Sequence, residues 1–161
     1  MKSLRSRSLV PGILLFAALL TFPGSAFSEL KQVRGQTVYV PAYSHIYYGD
    51  RDMPFYLTVT LSIRNTDLED PITVTDIKYI GSDGKLIKDY LDNDVRLDAQ
   101  ASMHSIVKES DKSGGAGAHF LVVWKAGQKV SEPILETIMI GTATQQGISF
   151  TSRGVAVKED F

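Results

Sequence analysis

The sequence contains no cysteine. Disulfide bonds are therefore excluded, and so is the bacterial type of lipid anchor that is attached to a cysteine. Burial of apolar side chains has to stabilise the fold without cross-links, which is feasible for a single domain of this size.

Long apolar stretches are also scarce. Residues 13–20 form an unbroken apolar run, which is shorter than the roughly 20 residues that a membrane span needs. The run follows three basic residues and precedes a Pro-Gly break, and Ala26 and Ser28 are small residues at the positions that a signal peptidase recognises. This pattern predicts a secretory signal over residues 1–28, cleavage after Ser28, and a periplasmic or secreted protein with no membrane span in the mature chain.

A large excess of charge of either sign is also missing. The predicted signal holds three of the 17 basic residues and none of the 18 acidic ones, which leaves 14 basic against 18 acidic residues and a formal charge of −4. Non-specific binding to nucleic acid relies on clustered lysine and arginine, so nucleic acid is not an expected partner.

Apolar and polar residues alternate along most of the chain, which is the period of a β-strand with one buried face. Residues 55–64 follow this pattern throughout and predict a single strand. Residues 72–80 follow it with one slip, which a β-bulge near Thr75 and Asp76 explains. The sequence Ser-Asp-Gly-Lys at residues 82–85 predicts a tight hairpin turn.

Two further segments have distinctive compositions. Residues 119–125 are apolar on both faces and predict a central strand that contains Trp124 and ends at a turn over residues 126–129. The glycine-rich residues 113–117 predict a solvated hairpin loop. They do not match a phosphate-binding loop, because no Lys-Ser or Lys-Thr pair follows and the next segment is a strand.

Short strands separated by frequent turns, without a helical repeat, predict an all-β fold. We expect a single antiparallel two-sheet sandwich of the immunoglobulin-like type, with a small β-barrel as the alternative. The sandwich domain is predicted over residues 37–155. A polar leader at residues 29–36 precedes it, and a flexible C-terminal tail at residues 156–161 follows it.

Four strings of residues resemble one bacterial protein family. They begin at Val40, Leu57, Ser113 and Gln145 and read VPAYSHIYYGD, LTVTLSIRNT, SGGAGAHF and QQGISFTSRG. On these strings the chain resembles the family called domain of unknown function 3124, over roughly residues 38–155. The resemblance implies no activity and no catalytic residue, because the family is named for having no assigned function.

Residues suited to chemistry are few. His45, His104 and His119 could together hold Zn²⁺ or Cu²⁺, and a periplasmic metal-handling protein that uses them is the first alternative function. Their spacing does not indicate a shared site, so we predict no metal and no cofactor. A Gly-x-Ser-x-Gly elbow is missing, and the adjacent Ser44 and His45 would point to opposite faces of a strand. We therefore predict no catalytic residue, and a hydrolase with an unrecognised site is the second alternative.

Tyrosine is concentrated in one part of the chain. Five of the seven tyrosines lie between residues 39 and 56, and tyrosine combines an apolar ring with a polar tip that suits binding surfaces. A competing interpretation is that these rings only pack over one end of the sandwich, since aromatic residues are ordinary in strands.

Two polar, turn-rich segments, residues 43–52 and 142–154, are more extensive than the connections that a simple sandwich needs. Binding residues often lie on loops that a rigid sheet holds in place. We therefore predict an exported, non-catalytic β-sandwich that is a binding or accessory module for an unknown envelope protein or ligand. The predicted partner-binding residues are Tyr43, Tyr47, Tyr48, Arg51, Gln145, Gln146 and Arg153.

The predicted signal is tested by the mass of the exported protein. Because Ala26 and Ser28 follow the Pro-Gly break, the mature chain should begin at Glu29, and its intact mass should lack residues 1–28. A species that retains residues 1–28 after export would contradict cleavage and indicate a retained anchor.

Overall fold

The computed structural model describes residues 31–142 and 147–160. Within these residues the chain forms twelve strands and one 3₁₀ turn, Gly49–Arg51. The strands are β1 (Gln32–Pro41), β2 (His45–Tyr48), β3 (Met53–Tyr56), β4 (Thr58–Arg64), β5 (Ile72–Ile80), β6 (Leu86–Asp89), β7 (Val95–Leu97), β8 (Ser102–Val107), β9 (His119–Ser131), β10 (Ile134–Gly141), β11 (Ile148–Arg153) and β12 (Val155–Asp160). The same residues contain no helix that is long and apolar enough to cross a membrane.

Most of the strands form two antiparallel sheets. The six-stranded sheet has the order β12-β1-β9-β5-β6, with β7 paired to another part of β5. The four-stranded sheet has the order β11-β10-β4-β8, and β2 and β3 form a separate hairpin. No ladder joins the two sheets within residues 31–142 and 147–160, so the predicted two-sheet sandwich is confirmed and the alternative barrel is not formed.

The apolar inner faces of the two sheets form the core. In the six-stranded sheet, Phe120, Val122 and Trp124 are fully buried on one face of β9, whereas Leu121 and Val123 on the other face are only half-buried. β9 lies between β1 and β5, so the predicted central strand is confirmed. The four-stranded sheet contributes Val59, Leu61, Ile63, Leu135 and Met139 to the core.

The predicted bulge in β5 is present. The pairing of β5 with β9 shifts register between Val74 and Asp76. Because of this slip, Ile72 and Val74 before the bulge and Ile77 and Tyr79 after it can all face the core, and all four are fully buried.

Residues 55–64 form two strands instead of the single strand predicted. β3 ends at Tyr56 and pairs with β2, whereas β4 begins at Thr58 and pairs with β8 and β10. Between them, the Leu57 amide donates a hydrogen bond to the Ser44 carbonyl at 3.0 Å. The alternation of side chains continues across this junction, so the sequence pattern alone does not reveal the change of partner strand.

Residues 126–129, predicted as a turn, interrupt β9 without ending it. Lys125 pairs with Gly35 and Val130 pairs with Val33, so the four residues lie opposite Arg34 alone. Such an irregularity is a bulge, after which the pairing with β1 resumes and β9 continues to its end.

The segments predicted as a polar leader (residues 29–36) and a flexible tail (residues 156–161) contribute strands to the six-stranded sheet. β1 begins at Gln32, inside the predicted leader, and β12 covers most of the predicted tail. The two strands pair with each other, for example at Gln36 and Glu159. Backbone hydrogen bonds place these polar residues in a sheet, and such bonds leave no apolar pattern in the sequence.

Asn65 fixes the turn by which the chain passes from β4 to β5, and so from one sheet to the other. Its side-chain nitrogen donates hydrogen bonds to the backbone carbonyl groups of Asp70, Leu97 and Asp98, at 2.8, 3.3 and 3.0 Å. Its side-chain oxygen accepts one from the Asp67 amide at 3.1 Å. The side chain is buried, and these bonds satisfy its polar atoms inside the protein.

Asp67 links the same turn to the C-terminal end of β9 by hydrogen bonds. Its carboxylate accepts hydrogen bonds from the backbone amides of Glu69, Asp70 and Ser131, at 3.0, 2.9 and 2.9 Å. These donors, with Ser131 the strongest, lower the pKa of Asp67 from 3.8 to about 2, although burial opposes the shift. The fold therefore gains stability from the charged form of this side chain.

Acid should weaken the fold through Asp67. Because the pKa of this carboxyl is lower in the folded chain than in the unfolded chain, its stabilisation is complete above about pH 4 and is lost as the pH falls toward 2. Asp67→Asn should lower the free energy of unfolding at neutral pH by about 2 kcal/mol, because an amide cannot accept all three donors. The same variant should also show a weaker dependence on acid. Denaturant titrations at several pH values measure both effects.

The matched control is Asp92→Asn, at an exposed position in the turn before β7. It should change the free energy of unfolding by less than about 0.5 kcal/mol. Equal losses in the two variants, or an unchanged acid dependence in Asp67→Asn, would contradict the role of Asp67.

Candidate functional site

The hairpin of β2 and β3 lies at the end of the sandwich where β4 and β9 begin. Its strands are joined by the Gly49–Arg51 turn. Three large side chains beside this turn are exposed: Tyr47 by 57%, Tyr48 by 49% and Met53 by 48%. We call these three residues the hairpin tip. Grouped large apolar side chains on a surface mark contact sites more often than isolated ones do.

One face of the hairpin is anchored in the core. Ile46 pairs with Phe55 and Tyr48 pairs with Met53, so these four side chains share a face. Phe55 is buried, and the ring of Tyr48 meets it edge-on with 6.2 Å between the ring centroids. Gly141 at the end of β10 makes room for Phe55, because a Cβ atom there would overlap the phenyl ring.

The other face of the hairpin is a row of rings. It carries His45, Tyr47, Pro54 and Tyr56, because His45 pairs with Tyr56 and Tyr47 with Pro54. The His45 ring lies edge-on to both tyrosines, with centroids 5.1 and 5.8 Å away. The Lys112 ammonium lies 4.3 Å from the centroid of the Tyr56 ring, a cation–π contact that links the hairpin to the loop between β8 and β9.

The loop between β8 and β9 is held by two serines. The amide and hydroxyl of Ser44 donate hydrogen bonds to the Gly115 carbonyl at 3.3 and 3.0 Å. The amide and hydroxyl of Ser82 both donate to the Gly114 carbonyl at 2.9 Å, and the same hydroxyl accepts from the Gly117 amide at 2.8 Å. The glycine-rich segment is therefore more firmly fixed than the solvated loop predicted from its composition.

Gly114 makes the closest approach of this loop to the core. It is buried, and a Cβ atom there would overlap the hydroxyl group of Tyr79. Burial raises the pKa of Tyr79 to about 12, with smaller contributions from the charges of Asp111 and Tyr90. The Tyr79 hydroxyl therefore stays protonated at neutral pH. The loop covers this side chain and packs against it through Gly114.

Four of the predicted partner-binding residues belong to the hairpin region. Tyr47 and Tyr48 are exposed at its tip, and Arg51 ends the turn between its strands. Tyr43 precedes the hairpin and is half-buried, with its ring centroid 6.1 Å from that of Phe150 in β11. The two segments predicted to form one surface therefore meet, but they meet through packed rings.

Arg153 lies away from the hairpin tip. Ile148, the first residue of β11, pairs with Gly141 beside the hairpin, whereas Arg153 pairs with Glu136. The separation along β11 is five residues, or about 17 Å. The structure does not bring this arginine to the tip. The two remaining predicted residues, Gln145 and Gln146, lie outside the described residues.

The three histidines occupy separate parts of the fold. His45 is on the hairpin, His104 is exposed on β8, and His119 begins β9, where its ring stacks on Tyr39 with centroids 4.2 Å apart. In the described part of the chain, no group of three histidine, aspartate or glutamate side chains is placed to hold a metal ion. The Ser44 hydroxyl donates to a backbone carbonyl, as described above, and not to the neighbouring histidine. These placements favour neither alternative function.

A family model matches residues 35–157, which include the hairpin and nearly all of both sheets. That family is described as a protein of unknown function, DUF3124. The chain belongs to this family. The resemblance seen in the four sequence strings is thereby confirmed, and the family description adds no activity to it.

Two further comparisons concern this DUF3124 chain. No curated protein matches it. Among solved structures, it is similar to the crystal structure of Thermotoga maritima 1070, with 13% identity and a TM-score of 0.44. The alignment covers 80% of this chain and 97% of that chain.

Sequence reasoning missed two contributors to the site of this DUF3124 protein. Met53 completes the hairpin tip because it pairs with Tyr48, and the two short alternating segments on either side of the Gly49–Arg51 turn could have indicated that pairing. Lys112 reaches Tyr56 from a loop that is distant in the sequence. No local pattern predicts such a contact.

A methyl group at position 141 tests how firmly the hairpin of this DUF3124 protein is anchored. Gly141→Ala should displace Phe55 and lower the free energy of unfolding by about 1–3 kcal/mol, as overpacking of a core does. Amide hydrogen exchange should become faster in β2 and β3 than in the remaining strands.

Gly127→Ala is the matched control, since a Cβ atom at that position in β9 has no neighbour within 4 Å. It should leave both stability and exchange near the wild-type values. If Gly141→Ala behaves like this control, Phe55 does not pack against Gly141 as described.

Proposed function

We propose that the protein is an exported, non-catalytic binding or accessory module that contacts a protein partner of the cell envelope through its hairpin tip. The observation that carries this proposal is the exposure of Tyr47, Tyr48 and Met53 on a hairpin that is attached to the core by Ile46 and Phe55. Tyrosine and methionine are enriched in protein interfaces, and tyrosine is among the residues that contribute most binding energy.

The hairpin is held in place by contacts with the rest of the fold, and this supports a role in binding. Phe55 is buried beneath it, Lys112 contacts Tyr56 from the neighbouring loop, and the Ser44 carbonyl accepts the Leu57 amide at its base. A surface that is ordered before it meets its partner loses less conformational entropy on binding. The hairpin tip therefore resembles a preformed contact site more than a loop that folds on its partner.

Two other observations support export and the lack of catalysis. The basic start, the short apolar run and the small residues before Glu29 are typical of a cleaved secretory signal. At the tip, the exposed side chains are two phenols and a thioether. Such groups pack readily against apolar surfaces of a partner.

Photo-crosslinking at the tip tests the proposal. A photoreactive phenylalanine analogue replaces Tyr48 in one variant and Leu68 in another, and intact cells of the native host are irradiated. Leu68 is 74% exposed in the turn between β4 and β5, away from the hairpin, so it is the matched control for exposure. We expect a discrete protein adduct from position 48 and none of the same mass from position 68.

A second arm links the adduct to the tip surface. Tyr47→Ala, made in the chain with the probe at position 48, should reduce the yield of the adduct while the thermal melt stays near that of the parent. Absence of a discrete adduct at position 48, or the same adduct at both positions, would reject the hairpin tip as the contact site.

A further inference from the structure

A cavity opens on the outward face of the six-stranded sheet, beside the bulge of β9. Its volume is about 210 Å³, and we call it the bulge cavity. Two of the side chains that line it are positively charged and a third carries a hydroxyl group, whereas no carboxylate of the described residues lines it. The lining residues are Pro71, Thr73, Arg96, Lys125, Ala126 and Gly127.

Strand pairing places the three polar side chains in one row. Thr73 of β5 pairs with Arg96 of β7 on one side and with Lys125 of β9 on the other. Paired residues of an antiparallel sheet share a face, with their Cβ atoms about 4.5–5.5 Å apart. Trp124, the neighbour of Lys125, is buried in the core, so the row lies on the outward face. A hydroxyl side chain is therefore flanked by a guanidinium and an ammonium side chain.

The bulge explains why a cavity forms at this point of the sheet. Ala126 and Gly127 are the first of the four residues that lie opposite Arg34 alone. The extra residues of a bulge bend the strand away from regular pairing. The space beside Gly127 is open, because a Cβ atom there would have no neighbour within 4 Å. The row of polar side chains therefore borders a recess and not a flat sheet surface.

Two aspartates that flank β7 pair with the cations of the row without lining the cavity. The Arg96 Nε donates a hydrogen bond to Asp98 at 3.1 Å, and the Lys125 Nζ lies 3.4 Å from Asp94. All four side chains are largely exposed, and ion pairs between exposed side chains are weak. These pairs leave the terminal nitrogens of Arg96 and further protons of Lys125 able to donate to a ligand.

Other charged residues near the bulge do not supply acceptors to the cavity. Arg34, opposite the bulge, is exposed and adds a third cation to this part of the surface. Asp70 precedes Pro71, and its carboxylate accepts a hydrogen bond from the Gln128 side chain. The cavity is therefore lined by side-chain donors, and the carboxylates around it are paired with other groups.

A lining of donors selects an oxyanion. Guanidinium and ammonium groups form the strong, charge-assisted hydrogen bonds by which proteins bind phosphate, and a threonine hydroxyl adds a third donor. The tetrahedral oxygens of phosphate can accept from all three at once. One water needs about 10–15 Å³ of such a volume, so the cavity is larger than a phosphate ion requires and leaves room for the organic part of a phosphate ester.

We propose that the bulge cavity binds a phosphate group through Arg96, Thr73 and Lys125. Soluble phosphate esters and phospholipid headgroups both carry this group. Acidic residues outnumber basic ones in the predicted mature chain, which opposes approach to a negatively charged lipid surface and favours the soluble source. Lys125 lies about 20 Å along β9 from His119, where the strand begins beside the hairpin. The cavity is therefore separate from the hairpin tip, and this inference goes beyond the proposed function.

The test is a titration of the isotope-labelled mature chain at low ionic strength, followed by amide NMR shifts. Inorganic phosphate and glycerol 3-phosphate are the soluble probes, and phosphatidylglycerol vesicles are the lipid probe. We expect saturable shifts at residues 73, 96 and 125–127 with both soluble probes, and no co-sedimentation with the vesicles. Co-sedimentation that Arg96→Gln abolishes would support the site and assign its phosphate group to a lipid.

Substitutions of the row identify the residues that bind. Arg96→Gln and Lys125→Gln should each raise the dissociation constant for phosphate at least about tenfold, because each removes a charged donor. Thr73→Val removes only the hydroxyl and should have a smaller effect. Arg96 and Lys125 are exposed, so their loss should leave the thermal melt near that of the wild type.

Lys85→Gln is the matched control. Lys85 forms a similar exposed ion pair, 2.9 Å from Asp83, in the turn between β5 and β6, and its loss changes the net charge by the same amount. It should leave phosphate binding unchanged. The proposal would be overturned if phosphate gave no saturable shifts, or if Lys85→Gln weakened binding as much as the two variants of the row.

Discussion

Burial of the apolar layer between the two sheets is the interaction on which the rest of the structure depends. The chain has no cysteine, so no disulfide bond joins the sheets. The largest fully buried side chains, Trp124, Tyr79 and Phe120, belong to β9 and β5 at the centre of the six-stranded sheet. The bulge in β5 exists because this layer must stay apolar along the whole strand. In the described part of the chain, the β2–β3 hairpin is attached to this layer through Ile46 and Phe55.

The two ends of the sandwich are closed by different means. At one end, Asn65 and Asp67 tie the β4–β5 turn to β7 and β9 by hydrogen bonds to backbone groups. At the other end, Gly114 and Gly141 allow the loop and the hairpin to approach the core so closely that a single methyl group would not fit. Both ends contribute to stability, and the end closed by close packing also presents the hairpin tip to solvent.

The amino-acid sequence by itself determined the fold class, the bulge in β5, the central position of β9 and the family, because period-two alternation and continuous apolar runs report directly which side chains a strand buries. Only the tertiary structure decided where the strand at residues 55–64 divides and that both termini of the domain join the six-stranded sheet. Those features depend on backbone hydrogen bonds between distant segments, which carry no side-chain pattern. For the same reason the sequence indicated the exposed tyrosines but grouped them with Arg153. The register of β11 with β10 places that arginine about 17 Å along the strand from the hairpin.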